Sequence, residues 1–259
     1  IIYNQPLMKN LIKNIINKLI VSTGYSLINN NQKIVELNNN DKKLINLAQT
    51  YSMTPQIRIF NLLQSLRYLK NKKIDGDYVE CGVWKGGNII LFKKFIEEED
   101  KDSKKNIFAF DTFEGMTEPD KNDYDISSNL SADVLLQSDK TKETNLWGVC
   151  SLESVKKNIQ SCVNSKENIR FIKGPVENTL DVTSNLPDKI SLLRLDTDWY
   201  NSTKKELDIL YDKVSPGGII IIDDYGHWGG SKKAVDDFFL NKYVWMHYVD
   251  YACRLIIKD

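Results

Sequence analysis

Residues 189–224 read KISLLRLDTDWYNSTKKELDILYDKVSPGGIIIIDD. An apolar run ends in Asp196 and Asp198, with only Thr197 between them. A helical stretch over 201–213 follows. A second run, four isoleucines long, then ends in Asp223 and Asp224. Nearly all-apolar strands are buried on both faces, and two parallel strands need a crossover that is usually a helix. The stretch therefore reads as a βαβ unit of a parallel sheet covered by helices. Both of its strands run into paired carboxylates.

The same alternation extends in both directions. Upstream, DYVECGV (77–83) reads as a strand and GGNIILFKKFIEEE (86–99) as a helix. KNIFAFD (105–111) and ENIRFIKG (167–174) are further strands, and 151–162 and 176–184 further helices. Downstream, KKAVDDFFL (232–240) is a helix, and two late strands over about 243–249 and 251–257 close the sheet. The fold class is α/β, a doubly wound, mostly parallel sheet with helices on both faces. Residues 1–50 read as a helical extension. Leu7, Leu11, Ile15 and Leu19 share one face of a helix over 6–20, which suits packing on the domain, on another subunit or on a membrane surface. NNNQKIVELNNND (29–41) is a polar connector, and a helix over 55–70 starts at Pro55. Residues 51–259 form the main domain. Within it, 115–150 is a long charged insertion, either a lid or binding element or a tolerated surface loop.

Composition narrows the function classes. Lys+Arg and Asp+Glu are both 35, so nothing global favours nucleic acid. The four cysteines are widely spaced and lack C-x-x-C, which suits reduced thiols in the cytoplasm rather than a disulfide frame or zinc site. No apolar run is long enough to span a membrane, and no signal peptide is evident.

Ligands of open α/β sheets bind beyond the carboxyl ends of the strands. The first strand ends in a glycine-rich turn (Gly82, Gly86, Gly87) that is not G-x-G-x-x-G, which counts against a nicotinamide dinucleotide. The second ends in Asp111, a carboxylate able to take two ribose hydroxyls or to cap a loop. Asp196, Asp198, Asp223 and Asp224 crowd together if their strands are neighbours. They are then either solvated loop acids or a site for a cation bound through oxygen, such as Mg²⁺, Mn²⁺ or Ca²⁺. His227 is near enough to reach that site, and His247 reads as structural. No G-x-S-x-G accompanies either.

YSMTP (51–55), DYVECGVWKGG (77–87), FAFDTFEGM (108–116), LLRLDTDWYNST (192–203) and VSPGGIIIIDDYGHWGGSKKAVDDFF (214–239) together resemble the macrocin O-methyltransferase family. That family includes sugar O-methyltransferases of tylosin, mycinamicin and novobiocin biosynthesis. The resemblance runs from about residue 50 to the C-terminus and is weakest over FIKGPVENTL (171–180), where members often carry an aromatic residue near Pro175. It implies a seven-stranded class I methyltransferase fold, with S-adenosylmethionine as donor and magnesium as helper. It implies a cofactor site at Glu80, Gly82, Asp111, Thr112, Phe113 and Gly174, and a metal site at Asp196, Asp223 and Asp224. Asp198 would take the proton of the substrate, and the insertion would close over the site. A homo-oligomer acting on a sugar or glycan is implied too, and the amphipathic segment leaves open contact with the inner face of a membrane. A catechol-like diol as acceptor, an oxidoreductase, and a non-catalytic adaptor are the competing readings.

Overall fold

The computed structural model describes residues 34–138 and 145–259. The helix expected over 6–20 lies outside the described residues. In chain order the elements are α1 (Asn39–Thr50), α2 (Gln56–Lys72), β1 (Asp77–Cys81), α3 (Gly87–Glu98), β2 (Ile107–Asp111), α4 (Ala132–Ser138), α5 (Leu152–Cys162), β3 (Ile169–Lys173), α6 (Val176–Thr179), β4 (Ile190–Leu195), α7 (Tyr200–Leu210), β5 (Val214–Ile222), α8 (Gly229–Phe239), β6 (His247–Tyr248) and β7 (Arg254–Ile257).

The strands form one seven-stranded sheet in the order β3-β2-β1-β4-β5-β7-β6. β3, β2, β1, β4 and β5 run parallel, and β7 pairs antiparallel with β5 and with β6. The strand order reverses between β1 and β4, which opens a crevice at their carboxyl ends. Every residue of β4 is buried, and so are Gly218–Ile222 of β5. The two apolar runs are thus the centre of the sheet. Their side chains meet those of β1, β2, α7 and α8 in one core. β3 alternates at the sheet edge and is more exposed.

Two boundaries differ from expectation. α1 begins inside the polar connector because Asn38 caps it, accepting from the N–H groups of Asn40 and Asp41 at 2.8 and 2.9 Å. Leu44, Ile45 and Ala48 then bury against α2 and α3. The compact unit therefore starts at Asn38 rather than near residue 51. Arg67 of α2 reinforces it, donating to both oxygens of Asp41 and to both of Glu99. The late strands are also shorter than expected, because a turn over 249–253 replaces the middle of the predicted hairpin. Among the described residues, no helix is long and apolar enough to cross a membrane. All four cysteines are free.

Candidate active site

The carboxyl edge of the sheet opens into a cavity of about 700 Å³. Its wall passes from Gly174 after β3 to Asp111 and Thr112 after β2, then to Gly82–Trp84 after β1. It continues to Asp196–Asp198 after β4 and to Asp223, Asp224 and His227 after β5, and ends at Tyr251 before β7. With strands roughly 4.8 Å apart, this crosses on the order of 20 Å. The length accommodates a nucleoside at one end and a second molecule at the other.

β1 delivers its turn through a tight contact. A Cβ on Gly82, whose φ is +87°, would lie 2.0 Å from the Asp196 carbonyl oxygen, so only glycine fits there. Asp111 holds the rest of the loop. Its Oδ2 accepts from the N–H groups of Val83 and Trp84 at 2.6 and 2.9 Å, and its Oδ1 from that of Phe113 at 2.6 Å. Gly82, Asp111, Thr112 and Gly174 all line the cavity. Glu80 and Phe113 lie behind that lining. Glu80 is buried beneath the floor, accepting from Asn88 and Arg194 at 2.8 Å each. Phe113 is buried edge-on against Phe171.

The four aspartates do gather, as their strand-end positions predicted. Asp196, Asp198 and Asp224 each bring a carboxylate oxygen within 4.8 Å of the others. Asp198 reaches in because its φ is +67°, the centre of a three-residue turn closed by the Trp199 N–H on the Thr197 carbonyl at 2.7 Å. Asp223 sits differently. Its Oδ2 accepts from Arg58 at 2.6 Å, and its Oδ1 lies 2.8 Å from Arg194 Nη2 without the geometry of a hydrogen bond. Arg194 also pairs with Glu80 at 2.8 Å and with Asp196 at 2.6 Å. Arg58 is shared with Asp250 at 2.7 Å.

The acids outnumber the two guanidiniums. Burial, then the crowd of like charges, drives the carboxyls of Asp196 and Asp224 well above the usual range. Burial also pushes Asp198 up to about 7, against a hydrogen bond from Asp224, and Glu80 to about 7, against Arg194. Asp223 alone is held low: burial would raise it, but Arg194 and Arg58 prevail.

The insertion is stitched to this edge. Trp199 Nε1 donates to the Thr117 carbonyl at 3.0 Å, and the Tyr200 N–H donates to Asp123 Oδ1 at 2.8 Å. Ala132, Leu136, Trp199 and Trp228 share a buried cluster. Gly115, Met116, Thr117, Leu146 and Gly148 line the cavity, so these residues form one wall of the site.

Comparison with known proteins accords with this geometry. The macrocin O-methyltransferase family model matches residues 10–253. The chain belongs to the macrocin O-methyltransferase family. Within this family, the demethyldecarbamoylnovobiocin O-methyltransferase of Streptomyces niveus is 29% identical over 191 residues, 74% of this chain and 68% of that protein. The mycinamicin III 3''-O-methyltransferase of Micromonospora griseorubida is 26% identical over 175 residues, 68% of this chain and 65% of its own length. The solved structure of the O-methyltransferase NovP superposes with a TM-score of 0.70 at 24% identity, covering 96% of this chain and 98% of that one. The calicheamicin methyltransferase CalS11 superposes at 0.56 and 16% identity, covering 90% and 99%. The macrocin O-methyltransferase assignment makes the chain an O-methyltransferase with S-adenosylmethionine as donor. It sets aside the oxidoreductase and adaptor readings.

Sequence reasoning missed several residues of the site. Arg194 was visible as a charge inside an apolar run, and Ser52–Thr54 within YSMTP. Nothing local marked Arg58, Asp123 or Tyr251, whose roles depend on contacts far along the chain.

Proposed function

We propose that this chain moves the methyl group of S-adenosylmethionine to a hydroxyl of a sugar-containing acceptor, with a divalent cation, magnesium in the first instance, held at the aspartate cluster. The observation that carries this reading is the convergence of Asp196, Asp198 and Asp224 in a cavity that also reaches Asp111 and Gly174. The relatives named above act on glycosylated natural products, which points to the acceptor class.

The residues fit a cation. Asp224 Oδ2 is buried without a hydrogen-bond partner among the described residues, and the excess of acid over guanidinium calls for positive charge. Asp196, Asp223 and Asp224 would hold it, an all-oxygen set suited to magnesium, manganese or calcium. When bound, such an ion lowers the pKa of a coordinated hydroxyl, while the sulfonium of the donor supplies an electrophilic methyl.

The chain does the rest. Gly82, Thr112 and Gly174 line the donor end of the cavity, and Asp111 keeps that loop shaped. Asp198 takes the hydroxyl proton on a carboxylate oxygen, from a turn that fixes its position. Arg58 and Arg194 keep Asp223 ionised. The insertion residues exclude water from the acceptor end.

The test is calorimetric titration of S-adenosylhomocysteine with and without Mg²⁺, followed by methyl transfer to a panel of glycosides. Micromolar binding of S-adenosylhomocysteine, with metal-dependent turnover on a glycoside, is the expected result. Binding without turnover on any glycoside, but with turnover on a catechol, would replace the acceptor class.

A further inference from the structure

His227 lines the cavity beyond β5, on the side away from Asp111 and Gly174. A residue there faces the acceptor, not the nucleoside end. Its place is tightly set. The His227 N–H donates to the Asp224 carbonyl at 3.0 Å, and its own carbonyl accepts from the Ile126 N–H of the insertion at 3.0 Å. The ring stands edge-on to Trp228, with centroids 4.9 Å apart, and to Tyr251 at 6.0 Å. Nδ1 faces Asp125 Oδ2 at 3.7 Å. Asp125 is itself fixed, since its Oδ1 accepts from Ser127 Oγ, Ser128 N and Ser128 Oγ at 2.6, 2.6 and 2.8 Å. Among the described residues nothing hydrogen-bonds Nε2.

Burial pushes the imidazole below its ordinary pKa, with Arg58 adding to that and Asp125 opposing it. In the neutral ring, the Asp125 carboxylate facing Nδ1 favours the proton there, which leaves Nε2 as a lone-pair acceptor.

We propose that His227 Nε2 accepts a hydrogen bond from a free hydroxyl of the acceptor next to the one that is methylated. This rests on the methyl-transfer reading of the same site and adds a specificity rule. A donor group is required at the neighbouring carbon, and a deoxy carbon or a methoxy group there leaves the Nε2 lone pair unpaired. Asp125 is a positioning residue that acts through the ring. The insertion thus takes part in choosing the acceptor.

The experiment measures kcat/KM on methyl α-L-rhamnopyranoside and on those of its monodeoxy analogues that retain the hydroxyl that is methylated, for the full chain with Mg²⁺. It compares the wild-type protein, His227→Ala, His227→Asn and Asp125→Asn. S-adenosylhomocysteine affinity is measured alongside as a control on the fold and the cofactor end. The expected result is that wild type disfavours one analogue by about tenfold or more. His227→Ala erases that preference by losing rate on the parent sugar only. His227→Asn, which retains an acceptor oxygen, recovers part of it. A preference that survives in His227→Ala overturns the proposal. So does an equal loss of kcat on every sugar with an altered pH profile, which would make His227 a proton acceptor in the reaction. Failure of wild type to methylate any of these glycosides while still binding S-adenosylhomocysteine would overturn the acceptor reading and this inference with it.

Discussion

Thr197 Oγ1 donates to Glu206 Oε1 at 2.9 Å, joining the turn between two site aspartates to the buried face of α7. Glu206 is fully buried, its other oxygen has no partner among the described residues, and burial drives its carboxyl well above the usual range. Burial thus favours its neutral form. Glu206→Gln should keep near-wild-type turnover, because the amide oxygen still accepts from Thr197. Glu206→Leu should lower kcat by tenfold or more, because Asp198 loses the anchor of its strained turn. Steady-state kinetics with a circular dichroism control would check this, and equal activity in both variants would count against it.

Asp198 and Asp223 should separate proton transfer from metal binding. Asp198→Asn is expected to bind Mn²⁺ and S-adenosylhomocysteine nearly as wild type does, while kcat falls by about 10²-fold or more. Asp223→Asn is expected to weaken Mn²⁺ binding. Electron paramagnetic titration of Mn²⁺ distinguishes the two. Loss of metal by Asp198→Asn with retention by Asp223→Asn would reassign the ligands to the trio that converges in the structure.

Arg194 is the buried hub for Glu80, Asp196 and Asp223. Arg194→Met removes the cation and strands those acids. Breaking a buried pair in this way costs about 3–5 kcal/mol. The urea midpoint should fall markedly, and an unchanged midpoint would mean that the acids simply stay protonated.

Gly230 allows the insertion to dock. A Cβ there would meet Asp123 Oδ1 at 1.8 Å and the Tyr200 nitrogen at 2.7 Å. Gly230→Ala should push Asp123 off the start of α7, speed proteolysis within 116–138, and lower turnover. Limited proteolysis followed by mass spectrometry reads this directly. Unchanged cleavage would show that the helix start yields instead.

The Asp41–Arg67 pair sets an acid-side limit on stability. The Arg67 hydrogen bond and charge hold the Asp41 carboxyl below its ordinary 3.8. A depressed carboxyl contributes stability that is present above its unfolded value and lost as pH falls through the folded one. Asp41→Asn should thus lower Tm at pH 7, and the gap from wild type should close as pH drops below about 4. A gap that stays constant down to pH 2 would show that the pair adds nothing through charge.

The alternation of apolar runs and helical stretches was enough to predict a doubly wound sheet and the strand ends where the site lies. Burial on both faces demands nearly all-apolar strands, and this constraint is local and visible in ISLLRL and GGIIII. The aspartates were legible for the same reason: a charge that ends a buried strand has to emerge at the sheet edge. Their division of labour was not legible. Asp223 and Asp224 are neighbours in the chain, yet Arg58 and Arg194 hold the first while the second converges with Asp196 and Asp198. Arg58 comes from α2 and Asp125 from the insertion, each about a hundred residues or more from its partner. Periodicity reports which face of an element is buried. Which distant charges share that burial is decided only when the strands pair in the order β3-β2-β1-β4-β5-β7-β6 and bring their loops to one edge, because a desolvated charge must find its counter-charge in space, wherever in the chain it lies.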